Sequence, residues 1–296
     1  MVSISFLLEH MNALEIHQMQ LPDLQLALDW ALLEGWNPGI NDASAFYTAD
    51  KAGFFIGKLN EKPVGCLSIV CYDATFAFIG LYIVKPEYRG QGYGTQIWQN
   101  AWQQMTQRLD LNRCIVGLDG VLEREQTYRN IGFVPAYRHI RHVCESSNSG
   151  VVPDSVVPLS TIPFTEIVRY DEQLFPTSRP QFLEHWINIP NGYAYGVLES
   201  GKLKGYGVIR PCYKGFKIGP LFADSPEIAE CLFQALTTHA AQQPVFIDIP
   251  DINPVISEFT QRYQLQPVFT CVRMYCYQTP SIDINRIFGV TTLELG

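Results

Sequence analysis

The chain has 296 residues, 47% of them hydrophobic and 17% charged, which suits two domains of ordinary size with packed cores. Its formal net charge of −8 repels phosphate backbones, which argues against nucleic acid and favours a cationic partner. Eight cysteines, from Cys66 to Cys276, form no CxxC pair and no ligand spacing; they read as buried thiols, not as a disulfide frame or a metal site.

The opening "MVSISFLLEHMNALEI" carries an apolar run of about six residues without a basic flank, too short for a signal-peptide core or a bilayer span. A cytosolic protein with no membrane contact is expected. "ALEIHQM" reads as a strand, and "PDLQLALDWALLEGW" shows apolar residues at helical spacing, with Pro22 early, where its missing N–H costs nothing. "NDASAFYTA" reads as a second short helix. "GFFIGKLNEKPVGCLSIVCY" is two apolar runs about a polar turn at Asn60, a hairpin. "ATFAFIGLYIVKP" is a continuous apolar strand ended by Pro86. After a glycine-rich loop come the helix "TQIWQNAWQQMTQRL", the strand "RCIVGL", the helix "EREQTYRNIGF" and the strand "AYRHIRHVC".

The order β-α-α-β-β-β-α-β-α-β is followed by "ESSNSGVVPDSVVPLSTIPF", rich in Ser, Pro and Val and read as a linker. The second half repeats the order. "YAYGVLESGKLKGYGVIR" is a hairpin, "FKIGPLFAD" a strand, "SPEIAECLFQALTTHAA" a helix, "VFIDI" a strand, "NPVISEFTQRY" a helix and "FTCVRMYCY" a strand. "GFVPAYRHIRH" aligns with "QLQPVFTCVRM", setting Pro135 on Pro267, Tyr137 on Phe269 and Arg141 on Arg273. A tandem repeat is expected, with domains at 1–146 and 165–296 joined by 147–164.

In "LYIVKPEYRGQGYGTQIWQNAW" three glycines, Gly90, Gly92 and Gly94, stand where a helix begins. Helix-entry N–H groups lack partners and point along the positive end of the helix. Glycines there let a ligand approach the main chain, an arrangement suited to phosphate. No Lys follows Gly94, so the Walker loop fails; the G-x-G-x-G spacing fails the dinucleotide fingerprint. Arg-Gly-Gln-Gly-Tyr-Gly at 89–94 does match R/Q-x-x-G-x-G/A. With Val84-Lys85-Pro86 before it and "TYRNIGF" at 127–133, the first half resembles the GNAT superfamily of acetyl-coenzyme-A-dependent N-acetyltransferases.

The resemblance implies an α+β fold, two tandem modules each with a mostly antiparallel twisted sheet flanked by helices, and the first module catalytic. It implies that backbone N–H groups of Arg89, Gly90, Gln91, Gly92, Tyr93, Gly94 and Thr95 cradle the pyrophosphate of acetyl-coenzyme A. Main-chain groups at Tyr82, Ile83 and Val84 would pair with its pantetheine arm. Tyr128 matches the family tyrosine that protonates the departing thiolate, a help that a thiol pKa near ~8.5 makes useful and not obligatory. The acceptor would be a small-molecule or protein amine, neutral when it attacks.

This sequence departs from the family in its base. "FAFIGLYIV" has no carboxylate, Asp119 stands only at the end of "RCIVGLD", and Val121 takes the place of a common asparagine. Asp119 could bind a substrate ammonium, order water or cap the next helix. Glu34, Trp36 and Asp42 lie in the segment where the family places its acceptor, with charge and a cation–π face to offer; solvated charges and an anchoring tryptophan are the plainer alternative. His10, His17, His139, His142, His185 and His239 form no triad and read as structural. A coenzyme-A-binding module without turnover, or an acyltransferase with another donor or a hydroxyl acceptor, stays open. In the second half the junction "KIGPLFADSPEIAECLF" has no glycine motif, and Asp224, Ser225, Pro226 and Glu227 would satisfy the helix entrance themselves.

Overall fold

The computed structural model describes residues 13–145, 154–254 and 256–296. Positions 1–12 of the stretch read against a signal peptide, with His10, and positions 147–153 of the expected linker fall outside them.

The first half runs β1 (Glu15–Gln18), α1 (Leu21–Leu33), α2 (Asp42–Ala49), β2 (Phe54–Leu59), β3 (Lys62–Cys71), β4 (Phe76–Val84), α3 (Tyr93–Thr106), β5 (Ile115–Val121), α4 (Glu125–Asn130) and β6 (Val134–Glu145). Local chemistry sets the boundaries. The Gln20 amide donates to Asp23 at 3.0 Å at the entry to α1. Asn60 and Glu61, both at positive φ, turn β2 into β3.

The second half runs β7 (Val156–Pro158), α5 (Phe164–Asp171), α6 (Pro180–Trp186), β8 (Tyr193–Glu199), β9 (Lys202–Pro211), β10 (Phe216–Ala223), α7 (Pro226–Thr237), β11 (Pro244–Pro250), α8 (Ile256–Arg262), β12 (Gln266–Tyr277) and β13 (Ile287–Gly289). Part of the expected linker is therefore sheet: β7 pairs with β8.

Among the described residues thirteen strands form one sheet, in the order β1-β2-β3-β4-β5-β12-β6-β11-β10-β9-β8-β7, with β13 beside β10. Only β4–β5 and β10–β11 are parallel pairs. The halves exchange their long last strands. β12 lies against β5 with Arg273 opposite Asp119, and β6 lies against β11 with Arg141 opposite Asp248. Each facing pair is a buried ion pair, Arg273 Nη2 to Asp119 at 2.7 Å and Arg141 Nε to Asp248 at 2.7 Å. The aligned arginines of the two repeats thus make the same contact across the exchange.

One apolar core also crosses between halves. Leu24, Leu28 and Phe46 share it with Trp186, Tyr206 and Phe222, and Phe46 stacks on Trp186 at 6.0 Å. Asp42, weighed as an acceptor-site charge, belongs to this contact instead. It is 1% exposed and bonded to Arg210 Nε at 2.7 Å and to the Gly39 amide at 2.8 Å. No helix among the described residues is long and apolar enough to cross a membrane.

Candidate active site

β4 and β5 pair from Phe76↔Ile115 only as far as Ile79↔Leu118. β3 still holds β4 out to Gly65↔Val84, so β4's other edge runs on unpaired and a V-shaped slot opens. At its apex Leu81 takes φ +47° and the β3–β4 register shifts. The extra residue resets which side chains face which way. Ile79 and Tyr82 pack with α3, while Leu81 and Ile83 pack with α1 and α2.

The glycine loop stands at the open end of this slot. Gly90 has φ +76° and Gly92, at the entry to α3, has φ +82°, where a side chain would strain the backbone. No side chain caps α3, whose first internal bond runs from the Gln96 amide to the Gly92 carbonyl at 3.2 Å. The amides of residues 90–95 lie ahead of it, at the positive end of the helix dipole. Gly94 lets α3 sit close on β4, since a Cβ there would lie 2.7 Å from the Tyr82 hydroxyl. Arg89 folds back, its Nε on the Val84 carbonyl at 2.8 Å and its Nη2 on Glu34. Gln91 donates to the Glu87 carbonyl at 3.1 Å, and Tyr93 meets Tyr88 edge-on at 6.3 Å.

A cavity of about 760 Å³ joins these parts. Its lining takes in Tyr82, Ile83, Val84, the loop from Arg89 through Thr95 apart from Gln91, and Tyr128. Tyr128 lies between Trp98 and Phe133, over Gly120, where any Cβ would fall 2.7 Å from its ring. Burial pushes its hydroxyl up to about 12, so it holds its proton at neutral pH.

Three expected acceptor residues fare differently. Glu34 lines the cavity, but its carboxylate is the partner of Arg89. Trp36 lines it too, and its carbonyl accepts from Arg141 Nη1 and, at 3.4 Å, from Lys217 Nζ. Asp119 lines it, yet its side chain is 0% exposed and bound by Arg273 and by His139 Nδ1 at 2.9 Å. Burial alone would raise its carboxyl, but Arg273 and His139 outweigh burial and hold it at about 2. Asp119 is therefore neither a free ammonium ligand nor a helix cap. Cys271 comes within 4.8 Å of this group; Arg273 donates to both carboxylate oxygens, so the aspartate's charge is already balanced within the protein.

The far end of the cavity is lined from the other half of the chain, by Phe269, Cys271, Leu293 and Glu294, together with Arg141 on β6. Sequence reading missed these. The one available signal was the alignment of Arg141 with Arg273, which marked both last strands as equivalent without showing that they trade places.

The second half has the same slot and fills it. β10 and β11 pair from Phe216↔Val245 to Ile218↔Ile247, and beyond that β13 pairs with β10 at Leu221↔Gly289. At the helix entrance the Ser225 hydroxyl accepts the Ile228 amide at 3.4 Å. Asp224 takes bonds from Tyr170, Lys204 and Arg286 at 2.9, 3.2 and 2.6 Å.

Residues 14–133 match the model of the acetyltransferase (GNAT) family, and residues 167–289 match that of an acetyltransferase (GNAT) domain. The holothin acyltransferase of Pseudoalteromonas sp. (strain SANK 73390) is 28% identical over 277 residues, covering 93% of this chain and 92% of that protein. In fold, the chain is similar to a Pyrococcus horikoshii protein assigned to the acetyltransferases, with TM-score 0.80, 22% identity and 96% of each chain covered. It is also similar to a tandem GNAT protein from the clavulanic acid biosynthesis pathway, with TM-score 0.61, 14% identity, and 91% of this chain and 100% of that one covered.

Proposed function

The chain belongs to the GNAT superfamily in its two-module form, a family of acyl-transferring enzymes, and we propose that it moves an acetyl group from acetyl-coenzyme A to a primary amine by direct attack in a ternary complex. One observation carries the reading: unpartnered loop amides, an unpaired strand edge and a protonated tyrosine converge on one cavity. The donor fits what is there. The amides of residues 90–95 would hold the pyrophosphate, and the β4 main chain at Tyr82–Val84 the pantetheine arm. Bound acetyl-coenzyme A would supply the thioester.

Tyr128 sits on the α3 face of the slot and donates its proton to the departing sulfur. The opposite face, where Leu81 and Ile83 join α1 and α2, admits the acceptor past Trp36 and Leu293. Attack and departure thus occupy opposite sides of the sheet, which keeps the proton donor off the incoming nitrogen.

A second reading, a longer acyl donor, draws support from the acyltransferase relative and from the cavity's volume. Release of free thiol from acetyl-, butyryl- and hexanoyl-coenzyme A is to be measured against a panel of primary amines and against holothin, which the relative's name makes a natural probe. Amine-dependent release with acetyl-coenzyme A at the highest kcat/KM supports the first reading, and a maximum at a longer chain the second. Tight coenzyme A binding without release to any acceptor overturns both.

A further inference from the structure

Among the described residues β4 brings no carboxylate to the apex of the slot and Asp119 on β5 is spent on Arg273 and His139; Glu123, which also lines the cavity, lies beyond the end of β5. The segment 290–296, which leaves β13 in the filled slot and crosses to the open one, brings Glu294. Four bonds fix its path. The Val290 amide donates to the Asp248 carbonyl at 2.9 Å, and Arg179 to Thr291 Oγ1 at 2.8 Å. The Leu295 amide donates to Thr292 Oγ1 at 2.9 Å, and the Tyr72 hydroxyl to the Leu295 carbonyl at 3.0 Å. The segment passes β4 at Gly80, where a Cβ would stand 2.0 Å from the Glu294 carbonyl oxygen. That is one residue beyond the last β4–β5 pair, on the face opposite α3.

Glu294 is 4% exposed and lines the cavity. No hydrogen bond or ion pair engages its carboxylate among the described residues. Arg141, Arg210 and Lys217 act on it through space only, for each is committed elsewhere, to Asp248, Asp42 and the Trp36 carbonyl. The carboxylate oxygens are not sealed in the protein, so the charge is presented to the cavity, where a ligand's donor can reach it.

We propose that Glu294 is the residue that receives the acceptor, a small primary amine on an apolar body, and takes its proton. The proposal rests on the amine-transfer reading. The apolar body lies against Trp36, Phe269 and Leu293, and the nitrogen faces the carboxylate. The amine lone pair forms the C–N bond to the acyl carbon as the C–S bond breaks. Sulfur keeps that electron pair and takes the Tyr128 proton. The excess proton on nitrogen passes to Glu294, and through water returns to Tyr128.

The test uses 2-phenylethylamine, with 2-phenylethanol as its uncharged counterpart, on the full chain. Calorimetry with coenzyme A present reads binding, and thiol release from acetyl-coenzyme A reads turnover. Glu294→Gln is expected to lower kcat/KM for the amine by about a hundredfold and to weaken amine binding about tenfold. Coenzyme A affinity, melting temperature and alcohol binding stay as in the wild type, and Glu294→Asp recovers part of the rate. Wild-type kcat/KM in Glu294→Gln overturns the role of Glu294 and leaves acyl transfer standing. A wild-type chain that binds coenzyme A but neither binds nor acylates 2-phenylethylamine overturns the acceptor proposed here, and only release to no amine of the panel overturns acyl transfer as well.

Discussion

Tyr128 shows how a side chain's setting decides its chemistry. Its ring fills space that Gly120 leaves open, and its hydroxyl, lifted to about 12 by burial, can give a proton at neutral pH but cannot serve as a base there. Tyr128→Phe keeps the ring and removes the donor. It is expected to lower kcat by roughly ten- to a thousandfold while coenzyme A affinity holds; a wild-type rate would make the residue a packing element. Gly92 makes the complementary case in the backbone. No atom crowds a Cβ built there, so the obstacle to a side chain is the φ of +82° alone. Gly92→Val should distort the loop and lower acetyl-coenzyme A affinity well beyond any change in melting temperature, as titration calorimetry would report. The places of both residues on the cavity were legible in the sequence, because they are set by neighbours a few positions away. Asp119 and Glu294 were not. The partner of Asp119 lies 154 residues on, and Glu294 reaches the slot only through the fold of the other half.

Elements with a strong period or a clear turn were also legible: the hairpins at Asn60 and at Ser200–Gly201, and α1, α3 and α7. The short helices α5 and α6 and the three-residue strands β7 and β13 carry too few periods to announce themselves, and strand exchange leaves no local trace. Its energetic mark is the pair of crossed ion pairs on β5–β12 and β6–β11. Asp119 titrates at about 2 in the fold against 3.8 for an ordinary aspartate, so its contribution to stability is full above about pH 4 and is lost as pH falls towards 2. Asp119→Asn leaves Arg273 buried and unpaired, a change that costs about 3–5 kcal/mol near neutrality. Urea midpoints of wild type and variant should therefore lie far apart at pH 7 and converge as pH falls below 4, because acid strips the wild type of the same charge. A gap independent of pH would mean that shape, not charge, holds β12 against β5.

The two halves use one architecture for opposite ends, and the fate of the slot between the parallel strands separates them. In the first half it is open, floored by β4 and headed by uncapped amides. In the second, Ile287 and Phe288 of β13 occupy it at 3% and 0% exposure. A ligand arm entering there must expel both side chains, about 1.5–3 kcal/mol each, a loss of roughly a hundredfold to ten-thousandfold in affinity. The phosphate end is closed as well. Burial works to raise the Asp224 carboxyl, but Tyr170, Lys204 and Arg286 prevail and lower it, so a negative charge stands at the helix entrance where a pyrophosphate would go. Ser225 already satisfies an entrance amide. Titration calorimetry with coenzyme A should therefore find one site per chain, and Gly92→Val should weaken that site without uncovering a second. Two comparable sites, one of them lost on changing Asp224 to Glu227, would show that β13 leaves its slot readily and that the second half binds the donor too. A single site would support a division of labour in which the first half holds the donor, while the second closes its own slot and sends segment 290–296 across to line the open one.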